Sequence, residues 1–326
     1  MGNYKTDHGF EIKHRSSDPS NVIVGEIWYN TTTQQLKVAP LISSWSSGGN
    51  LNTSRDTYMG GSRNGTQTAC RTTGGYTSTN VVLNEAYDGS SWSEEGDHNT
   101  ARRGGCGAGT SPAALYFGGY TGTAYTGVTE EWDGSSWTES GDMGTGRDSM
   151  GSCGTQTAAL GVGGNEPPRS VRTEEYNGST WTAGGDLVSV RTNAPACGTQ
   201  TAALAIGGDT GDGPTATTQV QSYDGSSWTA LPGALPTAKS GSGAAGTQTA
   251  AVAFAGITPP ASTVTNTTYG FDGTSWSTKA TMSNSKLHVS GGMGTAIAAL
   301  AAGGSPNTNA TEEYTDVATV RSVDTT

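Results

Sequence analysis

Apolar residues fall in short runs separated by polar, glycine-rich turns, and no segment repeats them every 3.6 residues, so the pattern predicts strands and no helices. From Cys197 the chain reads CGTQTAALAIGG and, after a variable stretch, VQSYDGSSW ending at Trp228. The first half recurs as CGTQTAALGVGG ending at Gly164, AGTQTAAVAFAG at Gly256 and MGTAIAALAAGG at Gly304, with looser copies ending at Gly75 and Gly119. The second half recurs as YDGSSW, WDGSSW, YNGSTW and FDGTSW, ending at Trp92, Trp137, Trp181 and Trp276. Each unit therefore predicts four antiparallel strands. One leads into the G-T-Q-T turn, an Ala-rich one runs to the glycine pair, one ends in an aromatic residue, and Trp opens the last. The Asp-Gly or Asn-Gly between the last two predicts a type I′ hairpin turn, with φ > 0 at both positions.

The glycine pairs step by 44, 45, 44, 48 and 48 residues, and the tryptophans from Trp45 to Trp276 by 47, 45, 44, 47 and 48. Repeats of about 40–50 residues with four strands are the size of propeller blades. The last unit has Tyr314 but no Trp strand, whereas Trp45 is a spare one. The expected fold is an all-β, six-bladed propeller of four-stranded antiparallel blades, in which residues near 42–46 supply the final strand and close the ring. A seven-bladed ring is the alternative, if residues 22–46 build a separate partial blade. Residues 1–20 read as an extended polar arm and 21–46 as a β-hairpin plus the ring-closing strand. Residues 47–326 form the propeller.

Composition changes this picture in one respect. Leu, Ile, Val and Phe total only 40 of 326 residues, so alanine and the 50 glycines must fill the interior, which suits thin sheets packed closely. A net charge of -11 without a basic run argues against nucleic-acid binding through phosphates. The sequence shows no apolar span near 20 residues and no secretory leader, so no membrane insertion is expected. Cys70, Cys106, Cys153 and Cys197 form no CxxC pair, and equivalent sites on neighbouring blades lie too far apart to bridge, so buried thiols are expected.

His8, His14, His98 and His288 are scattered, and no HExxH, G-x-S-x-G or P-loop pattern occurs, so no catalytic residue, cofactor or metal is expected. One basic residue recurs per unit: Arg55, Arg102, Arg147, Arg191, Lys239 and Lys286. The series reads either as a clamp for carboxylate, sulfate or sialylated groups or as ties within the blade packing, and one-per-blade recurrence favours the second. The T-E-E runs at Glu130-Glu131, Glu174-Glu175 and Glu312-Glu313 read as solvated strand faces. The G-T-Q-T and Asp-Gly turns are uniform and share one face, while the loops after the glycine pairs vary and lie on the other. Those loops include residues 120–125, 165–169, 209–215 and 258–262. Candidate ligand-binding residues are Tyr120, Tyr125, Asn165, Arg169, Asp209 and Asp212.

The glycine pairs, the aromatic site (Tyr87, Trp132, Tyr176, Tyr223, Phe271), the Trp series and the basic series together resemble the kelch repeat, which implies a propeller and leaves function open. GEIWYNTTTQQLKV, residues 25–38, is similar to a hairpin of tail, fibre and other virion proteins of tailed bacteriophages, and the whole layout resembles kelch-like structural proteins of marine phages. Ile27, Trp28, Tyr29, Leu36 and Val38 carry that hairpin. The resemblance implies a non-enzymatic virion structural protein, a tail-fibre or capsid/tail decoration protein assembled in the host cytoplasm. Its partners would be other virion proteins, met through the arm and hairpin, and a host-surface glycan or protein; a homo-oligomer stays open. A free-standing carbohydrate- or protein-binding kelch module is the alternative, and a kelch-type oxidase or glycosidase the third reading.

Overall fold

The Ala-rich strands end in apolar residues that form a bed for the aromatic residues of the next unit, as where Trp181 packs on Phe117 (4.7 Å) and Trp45 on Phe254 (5.1 Å). The computed structural model describes residues 12–55, 60–61, 65–167, 169–211, 215–259 and 263–323, and these contain strands and no helix. They fall into two compact units, residues 44–314 and residues 12–43 with 315–323.

The larger unit is built from successive four-stranded antiparallel sheets. Sheet 1 comprises Gly60–Gly61, Cys70–Thr73, Asn84–Tyr87 and Trp92–Glu94. Sheet 2 comprises Cys106–Thr110, Ala113–Phe117, Thr129–Trp132 and Trp137–Glu139. Sheet 3 is Gly151–Thr155, Ala158–Val162, Thr173–Tyr176 and Trp181–Ala183. Sheet 4 is Ala196–Thr199, Ala202–Ile206, Val220–Tyr223 and Trp228–Ala230. Sheet 5 is Gly243–Gly246, Ala251–Phe254, Thr268–Phe271 and Trp276–Lys279. Sheet 6 holds Ser290–Thr295, Ala298–Ala302 and Thr311–Ala318, and its fourth strand is Leu41–Ser47 from the beginning of the chain. The first strands of consecutive sheets lie against one another, and that of sheet 6 lies against that of sheet 1. This is a propeller-like, all-β architecture.

The core sits between sheets. Leu160 and Val162 of sheet 3 meet Ala203, Tyr223 and Trp228 of sheet 4, and Met293 and Leu300 of sheet 6 meet Cys70, Tyr87 and Trp92 of sheet 1. Three side chains then tie sheet 4 to the one before it, as their equivalents Gln156, Trp181 and Tyr176 tie sheet 3 to sheet 2. Gln200 of the G-T-Q-T turn donates to Ala159 O (3.0 Å) and Tyr176 O (2.7 Å), Trp228 Nε1 to Thr173 Oγ1 (2.9 Å), and Tyr223 Oη to Glu175 Oε1 (2.5 Å). Sheet 1 makes the same three contacts with sheet 6: Gln67 to Tyr314 O (2.7 Å), Trp92 to Thr311 (2.9 Å) and Tyr87 to Glu313 (2.7 Å). All four cysteines are buried, and none forms a disulfide.

The glycine pair is where the chain entering the next sheet passes. Gly164 N donates to Arg191 O and Gly208 N to Lys239 O, both at 2.8 Å, and Gly304 N returns to Arg55 O at 3.2 Å. At Gly163 φ is +61°, and a Cβ there would lie 2.4 Å from Arg191 O. Gly163→Ala is therefore expected to cost about 2–4 kcal/mol in chemical denaturation; a loss under about 0.5 kcal/mol would show that this approach is not required.

Two sequence expectations are corrected here. The Asp-Gly turns are not type I′, because only glycine takes φ > 0, as at Gly89 (94°) and Gly225 (92°). Tyr87 faces Trp92, leaving a four-residue loop in which Asp88 Oδ1 accepts Ser90 N and Ser91 N at 2.8 Å, so the carboxylate replaces the second left-handed residue. The T-E-E runs are not solvated faces: Glu130, Glu174 and Glu312 are 0%, 6% and 1% exposed, since each answers a buried cation.

The smaller unit is one mixed sheet. Lys13–Arg15 pairs in parallel with Ile27–Asn30, which pairs antiparallel with Gln35–Val38, which pairs antiparallel with Arg321–Ser322. Lys13–Arg15, expected within an extended arm, is thus a strand, and the C-terminal segment joins this sheet rather than the larger unit. Residues 1–11 of the expected arm lie outside the described residues.

Candidate functional site

The basic series is the natural starting point, because it recurs once per unit and carries charge. All six side chains are at most 2% exposed. Arg147 donates to Gly163 O (2.7 Å), Arg172 O (2.8 Å) and Glu174 Oε1 (2.8 Å), all in the sheet it precedes. Arg102 meets Glu130 (2.6 Å) and Tyr116 O (3.1 Å), Arg55 meets Glu85 and Leu83 O, and Lys286 meets Glu312 (3.4 Å) and Ala310 O (3.2 Å). Arg191 and Lys239 lack a carboxylate partner, since Gln221 and Tyr269 replace the glutamate, and they bond Gln219 (2.5 Å) and Ala255 O (2.6 Å) instead. None of the six offers its charge to solvent.

Lys239 gives a pH test of this arrangement. Burial lowers its pKa from the ordinary 10.5 to about 8. The unfolded chain holds the proton more tightly, so the buried charge opposes folding in full below pH 8, and the penalty fades as pH rises to 10.5. The two carbonyls it meets keep other donors, Thr265 Oγ1 for Ala255 O (3.4 Å) and Ala255 N for Thr267 O (3.1 Å). Lys239→Met is expected to raise stability at pH 7 by about 1–3 kcal/mol and to remove the gain between pH 8 and 10.5. Melting curves across that range that match the wild type would refute it.

The residue two places after each basic one is left-handed: Gly104 (φ 67°), Ser149 (57°), Asn193 (54°), Gly241 (64°) and His288 (53°). Their backbones form a chain of bonds, Ser149 N to Gly104 O, Asn193 N to Ser149 O, Gly241 N to Asn193 O and His288 N to Gly241 O, at 2.8–3.0 Å. The equivalent residue after Arg55 lies outside the described residues. A cavity of about 40 Å³ adjoins this chain, lined by Met150, Asn193, Ser242 and His288 among others.

On the variable side, the residue after each of the last five glycine pairs forms an antiparallel bridge with the residue after the basic one that precedes that pair. The pairs are Arg103 with Tyr120, Asp148 with Asn165, Thr192 with Asp209, Ser240 with Ile257 and Leu287 with Ser305. Backbone geometry is constant along this rim, while the side chains change in charge, size and polarity from sheet to sheet.

The rim brings some of the expected residues together. Tyr120 and Tyr125 lie 5.2 Å apart between ring centroids, and Asn165 Nδ2 donates to Tyr125 Oη at 2.7 Å. Tyr76, Asn80 and Arg103 join them, none of which was singled out from the sequence. Asn80 Nδ2 donates to Tyr120 O (3.0 Å), and the Arg103 guanidinium sits over Tyr76 (5.0 Å) and Tyr120 (5.4 Å). These residues border a cleft of about 470 Å³. One signal was available: Tyr76 occupies the same place after its glycine pair as Tyr120. Arg169 and Asp209 lie in a second group. Arg169 donates to Thr192 Oγ1 (3.2 Å), and Asp209 Oδ2 accepts Ser240 Oγ (2.6 Å) and Asn193 Nδ2 (3.3 Å). Asp212 lies outside the described residues.

The five hairpin residues divide. Ile27 faces Val38 and Tyr29 faces Leu36, so these four share one face, on which Ile27 is 48% exposed. Trp28 points the other way, is fully buried, and donates Nε1 to Asp18 at 3.1 Å. No group of three or more His, Cys, Asp or Glu suited to a metal occurs among the described residues. Compared with protein-family models and with curated proteins, the chain matches none.

Proposed function

We propose that this chain is a non-enzymatic virion structural protein of a tailed phage, in which a six-bladed kelch-like propeller displays a recognition rim and the small N-terminal sheet attaches to other virion proteins. The observation that carries the recognition part is the rim, where one backbone bridge recurs sheet after sheet with different side chains. A scaffold under selection for stability alone has no need to hold the frame and diversify those positions. Ring closure is supported by sheet 1, which meets sheet 6 through the same Gln, Trp and Tyr contacts that join sheet 4 to sheet 3 and sheet 3 to sheet 2. Six blades rather than seven are supported by Leu41–Ser47, which pairs within sheet 6 while the hairpin belongs to a separate sheet. Attachment through the small sheet is supported by the resemblance of residues 25–38 to virion hairpins and by the shared apolar face of Ile27, Tyr29, Leu36 and Val38.

Immunogold labelling of particles purified from the encoding phage tests this reading. Label at regular positions on the particle is expected, and its loss is expected when Ile27 and Tyr29 are both replaced by Asp. Particles free of the protein would favour the free-standing binding module.

A further inference from the structure

We propose that the cleft bordered by Tyr76, Arg103 and Tyr120 binds a carboxylate-bearing saccharide, with the acid on the Arg103 guanidinium and the sugar ring against a tyrosine face. The proposal rests on the reading of the rim as a recognition surface and names its ligand class.

Arg103 is unlike the other described arginines of residues 44–314. Arg55, Arg71, Arg102, Arg147, Arg169, Arg172 and Arg191 each spend their guanidinium on a carboxylate, carbonyl, amide or hydroxyl of the chain. Among the described residues the Arg103 guanidinium has neither hydrogen bond nor ion pair, and what it meets is the rings of Tyr76 and Tyr120, over which its carbon lies. A guanidinium that meets only aromatic rings keeps its planar N–H fork for a bidentate acceptor, and a carboxylate matches that fork. The charge of Arg103 acts on Asp148 of the next sheet, whose carboxyl is nonetheless pushed up by burial and already takes Ser149 Oγ at 3.0 Å.

The surroundings suit a sugar. The cleft, about 470 Å³, falls within the range of small-ligand sites, and Thr79, Asn80 and Thr121 add polar groups beside the two rings. The Tyr120 ring is fixed before any ligand arrives: its Oη donates to Gly122 O at 2.9 Å, and Tyr125 braces it at 5.2 Å. A site already ordered spends little of its binding energy on organising itself. The charge pattern narrows the anion. One arginine in this cleft, on a chain of net charge -11, cannot neutralise a densely charged phosphate polymer, but it can meet one carboxylate.

The test is calorimetric titration of the full chain with galacturonate hexamer, its carboxyl-reduced counterpart and α2,3-sialyllactose. Binding of at least one acidic sugar is expected, with the reduced hexamer about tenfold weaker than its acid form or worse. Arg103→Met is expected to lower acidic-sugar affinity by about tenfold or more and the melting temperature by no more than about 3 °C, since in the chain the side chain meets only the two tyrosine rings. Tyr76→Ala is expected to weaken acidic and reduced hexamers alike. Equal affinity for acidic and reduced hexamers, an unaffected Arg103→Met variant, or no binding to any of the three sugars overturns the proposal. The particle labelling decides the virion reading separately, so the two can fail independently.

Discussion

Replacing Glu174 with alanine is expected to cost about 3–5 kcal/mol of unfolding free energy, because Arg147 would stay buried and charged with no counter-ion. Arg147 is 0% exposed, and burial already lowers its pKa against the pull of the nearby glutamates. The same substitution frees Gly144 N, which donates to Glu174 Oε2 at 2.7 Å. Removing both charges, as Arg147→Met with Glu174→Leu, is expected to recover about half of that loss or more, since a well-packed apolar pair can match a buried ion pair. Urea denaturation of the two single variants and the double measures the coupling. If Glu174→Ala costs less than about 1 kcal/mol, the pair is not the tie that the geometry describes.

The second large effect concerns the far end of sheet 6. A chain beginning at Gly48 lacks Leu41–Ser47, so Thr311–Ala318 is left as an open edge. Trp45 alone packs on Phe254 (5.1 Å) and Tyr314 (5.3 Å) and donates to Thr268 Oγ1 (3.0 Å). Losing a tryptophan of this kind costs about 3–5 kcal/mol, which for a chain of this size lowers the melting temperature by about 4–7 °C. An exposed edge also invites pairing between molecules, so concentration-dependent association is expected in light scattering. A peptide of residues 38–48 supplied in trans is expected to reverse both changes. A truncated chain that stays monomeric and melts with the full one would mean that this strand contributes nothing to the sheet.

Much of the larger unit was legible because each repeat solves the same packing problem with the same residues. Gln200 and Trp228 recur since each must reach a fixed acceptor on the preceding sheet, and Gly163 recurs since the next linker's carbonyl leaves no room for a Cβ. The misread positions share a different cause. The T-E-E runs look hydrophilic, and nothing local says that Glu174 will face Arg147 from across a loop. Asp88 looked like half of a type I′ turn, because the sequence does not show its side chain capping Ser90 and Ser91. Arg321–Ser322 carries no sign of its partner, since pairing with Gln35–Val38 joins the two ends of the chain.

The sequence by itself determined the period, the four-strand unit, the absence of helices and the side on which loops vary, because those follow from local spacing and turn chemistry. Only the tertiary structure decided which side chains from different repeats meet. Arg102 and Arg103 are neighbours of the same type. The first is buried on Glu130, and the second lies over Tyr76 and Tyr120 with its donors unspent. That difference arises where one sheet passes another. A contact made between repeats depends on how sheets are set against each other, and spacing along the chain does not encode it.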